Sequence, residues 1–280
     1  MIETRSRGRA VLVARYLALT IASLASIGPL VYMVLVSLKR NAFVLRGPAD
    51  LFEGEFTLDN YAQVWQEGDI AVGFANSVVV AVVTTFLTLL LASMMAYALA
   101  RFEFPGRRIV LGLILVELMV PAIMLLIPQF LLARDLHLLD SRLGLVLFYV
   151  GGNLAFITFL LLGFFRGIPA ELEDAMRVDG AGAWRRYVSL ILPVSRPALA
   201  TAAIFAFLGS WDEYVWALTI INDPAQRTLP VGIALLSGTH MTDWGLTFAA
   251  SVIALVPVLI VFLVFQRQFV NGIISGALKS

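Results

Sequence analysis

The chain has 280 residues, of which 60% are hydrophobic and only 14% charged, and its mean hydropathy is +0.90. A soluble domain carries roughly a quarter charged residues, so this chain lacks the polar surface to face water on all sides. The net charge of +1 excludes the concentrated basic face of a nucleic-acid binder, and the absence of cysteine excludes disulfides, thiolate metal sites and cysteine nucleophiles.

Arg5, Arg7 and Arg9 precede an apolar run from Ala10 to Leu38 that only Arg15 interrupts. The apolar core of a secretory signal spans about 7–15 residues and ends at a cleavage site. This run is long enough to cross a bilayer and reads as an uncleaved first helix. A spanning helix needs roughly 20 apolar residues. In chain order the stretches Val13–Leu38, Phe74–Ala100, Ile109–Leu132, Leu143–Phe165, Ala198–Ile221 and Leu246–Phe265 qualify. Open strands leave backbone groups unpaired in lipid, and a barrel shows short alternating segments instead. The expected fold is therefore an all-α integral membrane protein of six transmembrane helices, a single membrane domain over residues 1–280.

The connections differ in character. Lys39–Gly73 is acidic and turn-rich, with Asp50, Glu53, Glu55, Asp59, Glu67 and Asp69, whereas Arg101–Arg108 is a tight turn around Pro105-Gly106. Arg166–Pro197 is long and rich in both charge signs, and Asn222–Gly245 carries Pro224, Pro230 and Gly238. With the N-terminus in the cytoplasm, 14 of the Lys and Arg residues fall inside and 6 (Lys39, Arg40, Arg46, Arg134, Arg142, Arg227) outside. That asymmetry predicts both termini and the 166–197 loop on the cytoplasmic side.

Within that loop, Pro169 suits a first helical position because its missing N–H would be unpaired anyway. Glu171, Glu173 and Asp174 follow, where the helix dipole favours negative charge. Gly180 suits a left-handed helix end, and Pro193 is placed to stop the next helix. Leu172, Ala175 and Met176 share one face, giving a helix-turn-helix with an apolar surface that suits a groove on a soluble partner. An amphipathic connector resting on lipid is the plainer alternative.

This segment resembles the EAA loop of binding-protein-dependent ABC importer permeases, whose core is Glu-Ala-Ala, three residues, Gly, nine residues, Ile, one residue, Leu-Pro. Asp174-Ala175-Met176, Gly180, Leu190 and Leu192-Pro193 hold that spacing, and Asp179-Gly180-Ala181 matches the Asp-Gly-Ala common in the carbohydrate branch. The chain departs at Asp174, where Glu is usual, and at Met176, where Ala is usual. Glu173 is placed to supply the longer carboxylate, and Met is an adaptable packer. Asp59-Asn60-Tyr61, Asn76-Ser77 opening a helix that ends Ala96-Tyr97-Ala98-Leu99-Ala100-Arg101, and Trp211-Asp212-Glu213-Tyr214 are similar to strings of the same branch. The tail with Gly272, Gly276 and Lys279 is similar to that of the smaller, MalG-like subunit and implies contact near an ATPase interface.

The resemblance implies a type I importer permease fold in a bacterial or archaeal cytoplasmic membrane. It implies a second homologous permease, two ATP-binding subunits, and an external solute-binding protein or lipoprotein that delivers a sugar or sugar-like solute. Glu173, Asp174, Ala175, Met176, Asp179, Gly180, Ala181, Leu190, Leu192 and Pro193 become the ATPase-coupling loop. The sequence contains no Gly-x-x-x-x-Gly-Lys-Ser/Thr loop. The chain is therefore expected to be non-catalytic and to bind no cofactor, with ATP and Mg on partner subunits.

Asp212 and Glu213 fall within the fifth stretch, where carboxylates are expensive and face a cavity or a partner. With Trp211, Tyr214 and Trp216 they form a candidate sugar-contacting group; a structural pair satisfied by the neighbouring permease is the alternative. On a continuous helix Trp211 and Tyr214 share one face and Asp212 and Trp216 another, so at most one face lines a path and Glu213 braces a partner helix or a polar layer. Glu117 with Pro121 and Pro128 marks an irregular third stretch, for kinking or for translocation. Asn76 and Asn153 read as interhelical hydrogen-bonders, and His137 and His240 as outer residues too far apart for a metal site. A proton-coupled secondary transporter using Glu117, Asp212 or Glu213 is the competing function, although the internal repeat common in that class is not evident. An intramembrane enzyme lacks a nucleophile–base or metal constellation.

Overall fold

The computed structural model describes residues 3–40, 55–67, 70–236 and 243–277, with the backbone alone for 3–11, 67 and 267–277. The described helices are α1 (Glu3–Ser37), α2 (Asp59–Glu67), α3 (Ile70–Arg101), α4 (Arg107–Met119), α5 (Leu126–Asp135), α6 (Arg142–Arg166), α7 (Ala170–Val178), α8 (Ala183–Arg186), α9 (Leu192–Val194), α10 (Arg196–Trp211), α11 (Val215–Ile220), α12 (Leu229–Leu236) and α13 (Trp244–Ala277). Leu12–Ser37, Ile70–Arg101, Arg142–Arg166 and Trp244–Gln266 are each long and apolar enough to cross a membrane. Two bent pairs, Arg107–Met119 with Ala122–Asp135 and Ala183–Val194 with Arg196–Trp211, meet the same condition of length and composition together, which makes up to six spans when each pair counts as one.

The third stretch is not the continuous helix its composition predicts. Its arms Arg107–Met119 and Ala122–Asp135 meet at 100°. Val120 is extended, with φ −87° and ψ 120°, because the ring of Pro121 crowds the α region of the residue before it. Pro128 is harmless as the third residue of α5, where amides have no intrahelical acceptor anyway. The fifth stretch is also interrupted. α10 stops at Trp211 and α11 restarts at Val215, while an 80° bend separates Ala183–Val194 from α10. α3 begins at Ile70, so Asn76-Ser77 lie within its second turn rather than at its opening.

The helices fall into two compact units, Met1–Ile70 with Ile233–Leu255 and Ala71–Gly232 with Val256–Ser280. In the first, Asn60 is buried and its amide donates to the carbonyls of Ser37 and Lys39, each at 2.8 Å, while Tyr61 Oη lies 2.6 Å from Ser37 Oγ. Gly245 is required there, since a Cβ would meet Asn60 Nδ2 and Lys39 O at 2.8 Å. In the second, Ala198, Ala202 and Ala206 of α10 share a buried cluster with Ala155, Ile157, Leu161 and Phe165 of α6. Small residues at intervals of four let two backbones approach closely, the usual basis of helix pairing in lipid. A further cluster joins Val80 of α3, Leu145 and Tyr149 of α6, and Trp216 and Ile220 of α11.

The end of α3 that carries Asn76 is latched by polar groups. Asn76 Nδ2 donates to the carbonyls of Ala225 (3.0 Å) and Arg227 (2.8 Å), and Arg142 donates to Asn76 Oδ1 at 3.2 Å. Asn76 thus joins α3 both to that loop and, through Arg142, to the start of α6, the interhelical role expected of it. Asn153 donates within its own helix to Tyr149 O at 2.8 Å, and its side-chain oxygen occupies the space a Cβ on Gly209 of α10 would need.

Asp140, with φ 51°, accepts the amides of Asp223 at 2.9 Å and of Asn222. Those two amides hold its carboxyl below the usual carboxylate range, Asp223 contributing most. A carboxyl depressed by folding adds stability above its unfolded pKa of roughly 3.9, and that stability is lost as pH falls through the lower folded value. Thermal unfolding between pH 6 and pH 3 should therefore show a Tm loss that Asp140→Asn reduces, with the variant about 2 °C lower at pH 7. Identical pH profiles for variant and wild type contradict the latch.

Candidate functional site

The loop between α6 and α10 is shaped by its caps. Pro169 is the N-cap of α7 rather than its first helical residue. At the other end Gly180 takes φ +76°, its amide donates to Arg177 O and that of Ala181 to Met176 O, both at 2.9 Å. This pair of bonds is the Schellman closure, which needs a left-handed residue at Gly180. A Cβ there would meet nothing within 4 Å, so the conformation, not space, selects glycine. The second arm runs through α8, a π-helical turn at Tyr187–Ile191, and α9. It does not stop at Pro193 but two residues later at Ser195, whose φ −90° and ψ 8° begin the turn into α10. An isolated π turn is a common mark of a functional segment.

Glu173 faces inward rather than toward solvent. It is 3% exposed, accepts from Arg101 Nε at 2.5 Å and Tyr97 Oη at 3.0 Å, and lies 3.5 Å from Arg186 Nε. The cations reach further: Arg101 donates to Ile168 O and Arg186 to Ala181 O, each at 2.8 Å. Tyr187 is buried beside them with its hydroxyl 2.7 Å from Ser93 Oγ. One carboxylate therefore ties both arms of the loop to the end of α3. The sequence gives Tyr97, Arg101 and Arg186 no such role, because Arg101 is 72 residues from Glu173 and no local periodicity links them.

The other loop residues divide by exposure. Asp174, Ala175, Asp179, Gly180 and Pro193 are exposed, Met176, Leu190 and Leu192 half-buried, and Ala181 buried. Asp174 pairs with Arg177 at 3.2 Å on the solvent side. Leu172, Val178 and Trp184 are 45%, 89% and 64% exposed, so the apolar face extends beyond Leu172, Ala175 and Met176.

The four candidates of the fifth span part company. Trp211 is 2% exposed, stacked on Phe207 and edge-on to Phe74. Glu213 accepts the amides of Trp216 (2.7 Å) and Ala217 (3.0 Å) and the hydroxyl of Tyr149 (2.7 Å). It caps α11 and braces α6. Asp212 and Tyr214 are exposed, and the Asp212 carboxylate makes no hydrogen bond or ion pair among the described residues. The shared faces expected of a continuous helix do not form: Trp211 and Trp216 are buried and Asp212 and Tyr214 exposed. Glu117 is exposed near the end of α4, beside the bend. Gly272 and Gly276 lie in the last turns of α13; Lys279 and His240 lie outside the described residues.

The family described as "Binding-protein-dependent transport system inner membrane component" matches residues 88–275, which takes in the loop, its anchors and the broken fifth span. The chain belongs to this family. It is a permease subunit of an ABC importer, of the carbohydrate branch, in a multi-pass membrane fold, and ATP hydrolysis resides on separate subunits. It is 37% identical over 259 residues to the diacetylchitobiose uptake system permease protein NgcG of Streptomyces coelicolor, covering 92% of this chain and 85% of that one. It is 34% identical over 253 residues to the trehalose transport system permease protein SugB of Mycobacterium tuberculosis, covering 90% and 92%. Its fold matches a chain in the crystal structure of a bacterial ABC transporter involved in import of the acidic polysaccharide alginate, with TM-score 0.79, 27% identity, and coverage of 93% and 97%.

Two substitutions separate the caps of the permease loop from its anchor. Gly180→Val should cost about 1–3 kcal/mol of backbone strain, and Glu173→Gln roughly 3 kcal/mol by leaving one buried and one half-buried guanidinium without their counter-charge. Thermal unfolding of the purified variants measures both; a Glu173→Gln protein as stable as wild type contradicts the anchor.

Proposed function

We propose that this permease forms half of a translocation path for a sugar or sugar-like solute, delivered by an external binding protein or lipoprotein. A second homologous permease forms the other half, and two ATP-binding subunits that hold ATP and Mg drive the cycle. Residues 1–280 act as one permease domain in a bacterial or archaeal cytoplasmic membrane, with both termini in the cytoplasm. What supports docking of an ATPase is the loop itself: its ionic root is buried while Leu172, Val178 and Trp184 remain open around a rigid turn. Ala175, Met176 and Asp179 border that surface, and Gly180, Ala181, Leu190, Leu192 and Pro193 set its shape. The tail at Gly272, Gly276 and Lys279 is proposed to reach the same partner. The solute class follows from the relatives, which are named for diacetylchitobiose, trehalose and an acidic polysaccharide.

Within the path, Asp212 and Tyr214 are the proposed sugar contacts. A carboxylate accepts hydroxyl hydrogen bonds, and an aromatic ring covers the apolar C–H face of a pyranose. Trp211 and Glu213 shape the break from behind. Asp212→Asn keeps one acceptor and should transport normally. Asp212→Leu should lower uptake by about tenfold or more, the worth of a hydrogen bond to a charged group, while ATPase activity stimulated by the binding protein persists. If Asp212 instead pairs with a cation of the second permease, both variants lose assembly, and wild-type uptake by Asp212→Leu removes the residue from the path. Uptake should survive a protonophore and stop without the ATPase; the opposite pattern favours a proton-coupled carrier.

The orientation has its own check. Cysteines introduced by Glu55→Cys and Ala225→Cys should react with impermeant maleimide in intact cells, and one introduced by Gly182→Cys should react only after lysis. Labelling of position 182 in intact cells reverses the topology.

A further inference from the structure

A cleft of about 580 Å3 opens at the start of α4, and its lining includes Arg107, Arg108, Arg166, Glu103 and Ile109. Three guanidiniums against one carboxylate give it a net positive charge. Arg107 spends Nε and Nη2 on the Leu99 carbonyl, at 3.1 and 2.8 Å. Arg108 and Arg166 are exposed and make no hydrogen bond or ion pair among the described residues. Arg166 is the last residue of α6 and Arg101 the last of α3, so the cleft lies where two spans leave the apolar layer. From it Ile109, Leu113 and Val116 run along α4 at 69%, 63% and 57% exposure, one stripe at i, i+4 and i+7.

Cations alone suit any phosphate. Cations that open onto an apolar stripe suit a phosphate carrying a hydrocarbon chain, and basic pockets between spans are known to take lipid headgroups. We propose that this cleft binds the phosphate of an anionic phospholipid, of the phosphatidylglycerol or cardiolipin class, with an acyl chain along Ile109, Leu113 and Val116. The positive charges of Arg108 and Arg166, which make no other ion pair among the described residues, attract the phosphate oxygens. Arg166 is two residues from Ile168, whose carbonyl Arg101 holds at 2.8 Å. A bound headgroup thus neutralises the arginines around the root of the coupling loop and keeps that root in place.

The test uses the full chain with its co-purifying subunits in neutral detergent, titrated with phosphatidylglycerol, cardiolipin, phosphatidylcholine or inorganic phosphate and read by thermal shift and native mass spectrometry. Phosphatidylglycerol and cardiolipin should bind and raise Tm; phosphatidylcholine and inorganic phosphate should not. The paired Arg108→Gln and Arg166→Gln variant should weaken phosphatidylglycerol binding about thirtyfold, from the attraction each cation adds at an anionic surface. Leu113→Asn should weaken it as well, which a bare anion site does not predict. If the glutamine pair does not insert, Arg108→Lys with Arg166→Lys keeps the charge and should retain binding. Unchanged affinity in the glutamine pair, loss of binding in a folded lysine pair, an equal response to phosphatidylcholine, or an equal response to inorganic phosphate overturns the proposal, the last by making the site one for a free anion.

Discussion

The position of the loop between α6 and α10 rests on the burial of one carboxylate. Removing a carboxylate from water has an effective penalty of several kcal/mol unless opposite charge and hydrogen bonds replace the lost hydration. Glu173 meets that requirement with groups from different parts of the chain: Tyr97 and Arg101 on α3 and Arg186 on α8. The two guanidiniums exceed the one carboxylate, and each also donates to a backbone carbonyl, Arg101 to that of Ile168 and Arg186 to that of Ala181. Any tilt of α7 away from α3 breaks the Arg101 contact and strands charge in a dry site. A force applied to α7 therefore passes to α3 through a short, stiff ionic joint instead of dissipating in a hinge.

With Glu173 turned inward, the outward face of the loop is fixed by helical geometry. Leu172, Ala175 and Val178 are exposed, and the left-handed turn at Gly180 brings Trp184 of α8 after them. In the second arm the π turn spans Tyr187–Ile191, and its two end residues, both buried, enter the same core cluster as Phe165 and Ala198. The arm thus packs along its inner side without rotating Trp184 inward. The loop has a committed inner side and an exposed outer one.

Much of this was legible in the sequence because it depends on local quantities. The length of an apolar run decides a span, Pro121 announces the break in the third, and Gly180 announces the left-handed turn. What was not legible depends on partners distant in sequence. The break at 212–214 contains neither proline nor glycine; it exists because Trp211 is held by Phe74 and Phe207 while Glu213 caps the next helix and meets Tyr149. The inward turn of Glu173 was equally hidden: its neighbours in sequence pointed to a solvent-facing acidic cap, whereas an arginine ending another span decided the outcome.

That break bears on where a polar solute can be met inside an apolar fold. Interrupting a helix frees amides and carbonyls, each costly in an apolar setting unless something replaces the lost bonds. Here Glu213 takes the amides of Trp216 and Ala217, so the interruption is satisfied from within the chain. The neighbouring carboxylate, Asp212, is left over: it is exposed and makes no hydrogen bond or ion pair among the described residues, while its backbone amide donates to Leu208 O at 3.0 Å. A charged group is retained within a span only where a cavity, a partner or a solute meets it. The pair Asp212-Glu213 thus divides the work, the second making the break tolerable and the first leaving its carboxylate exposed at the break.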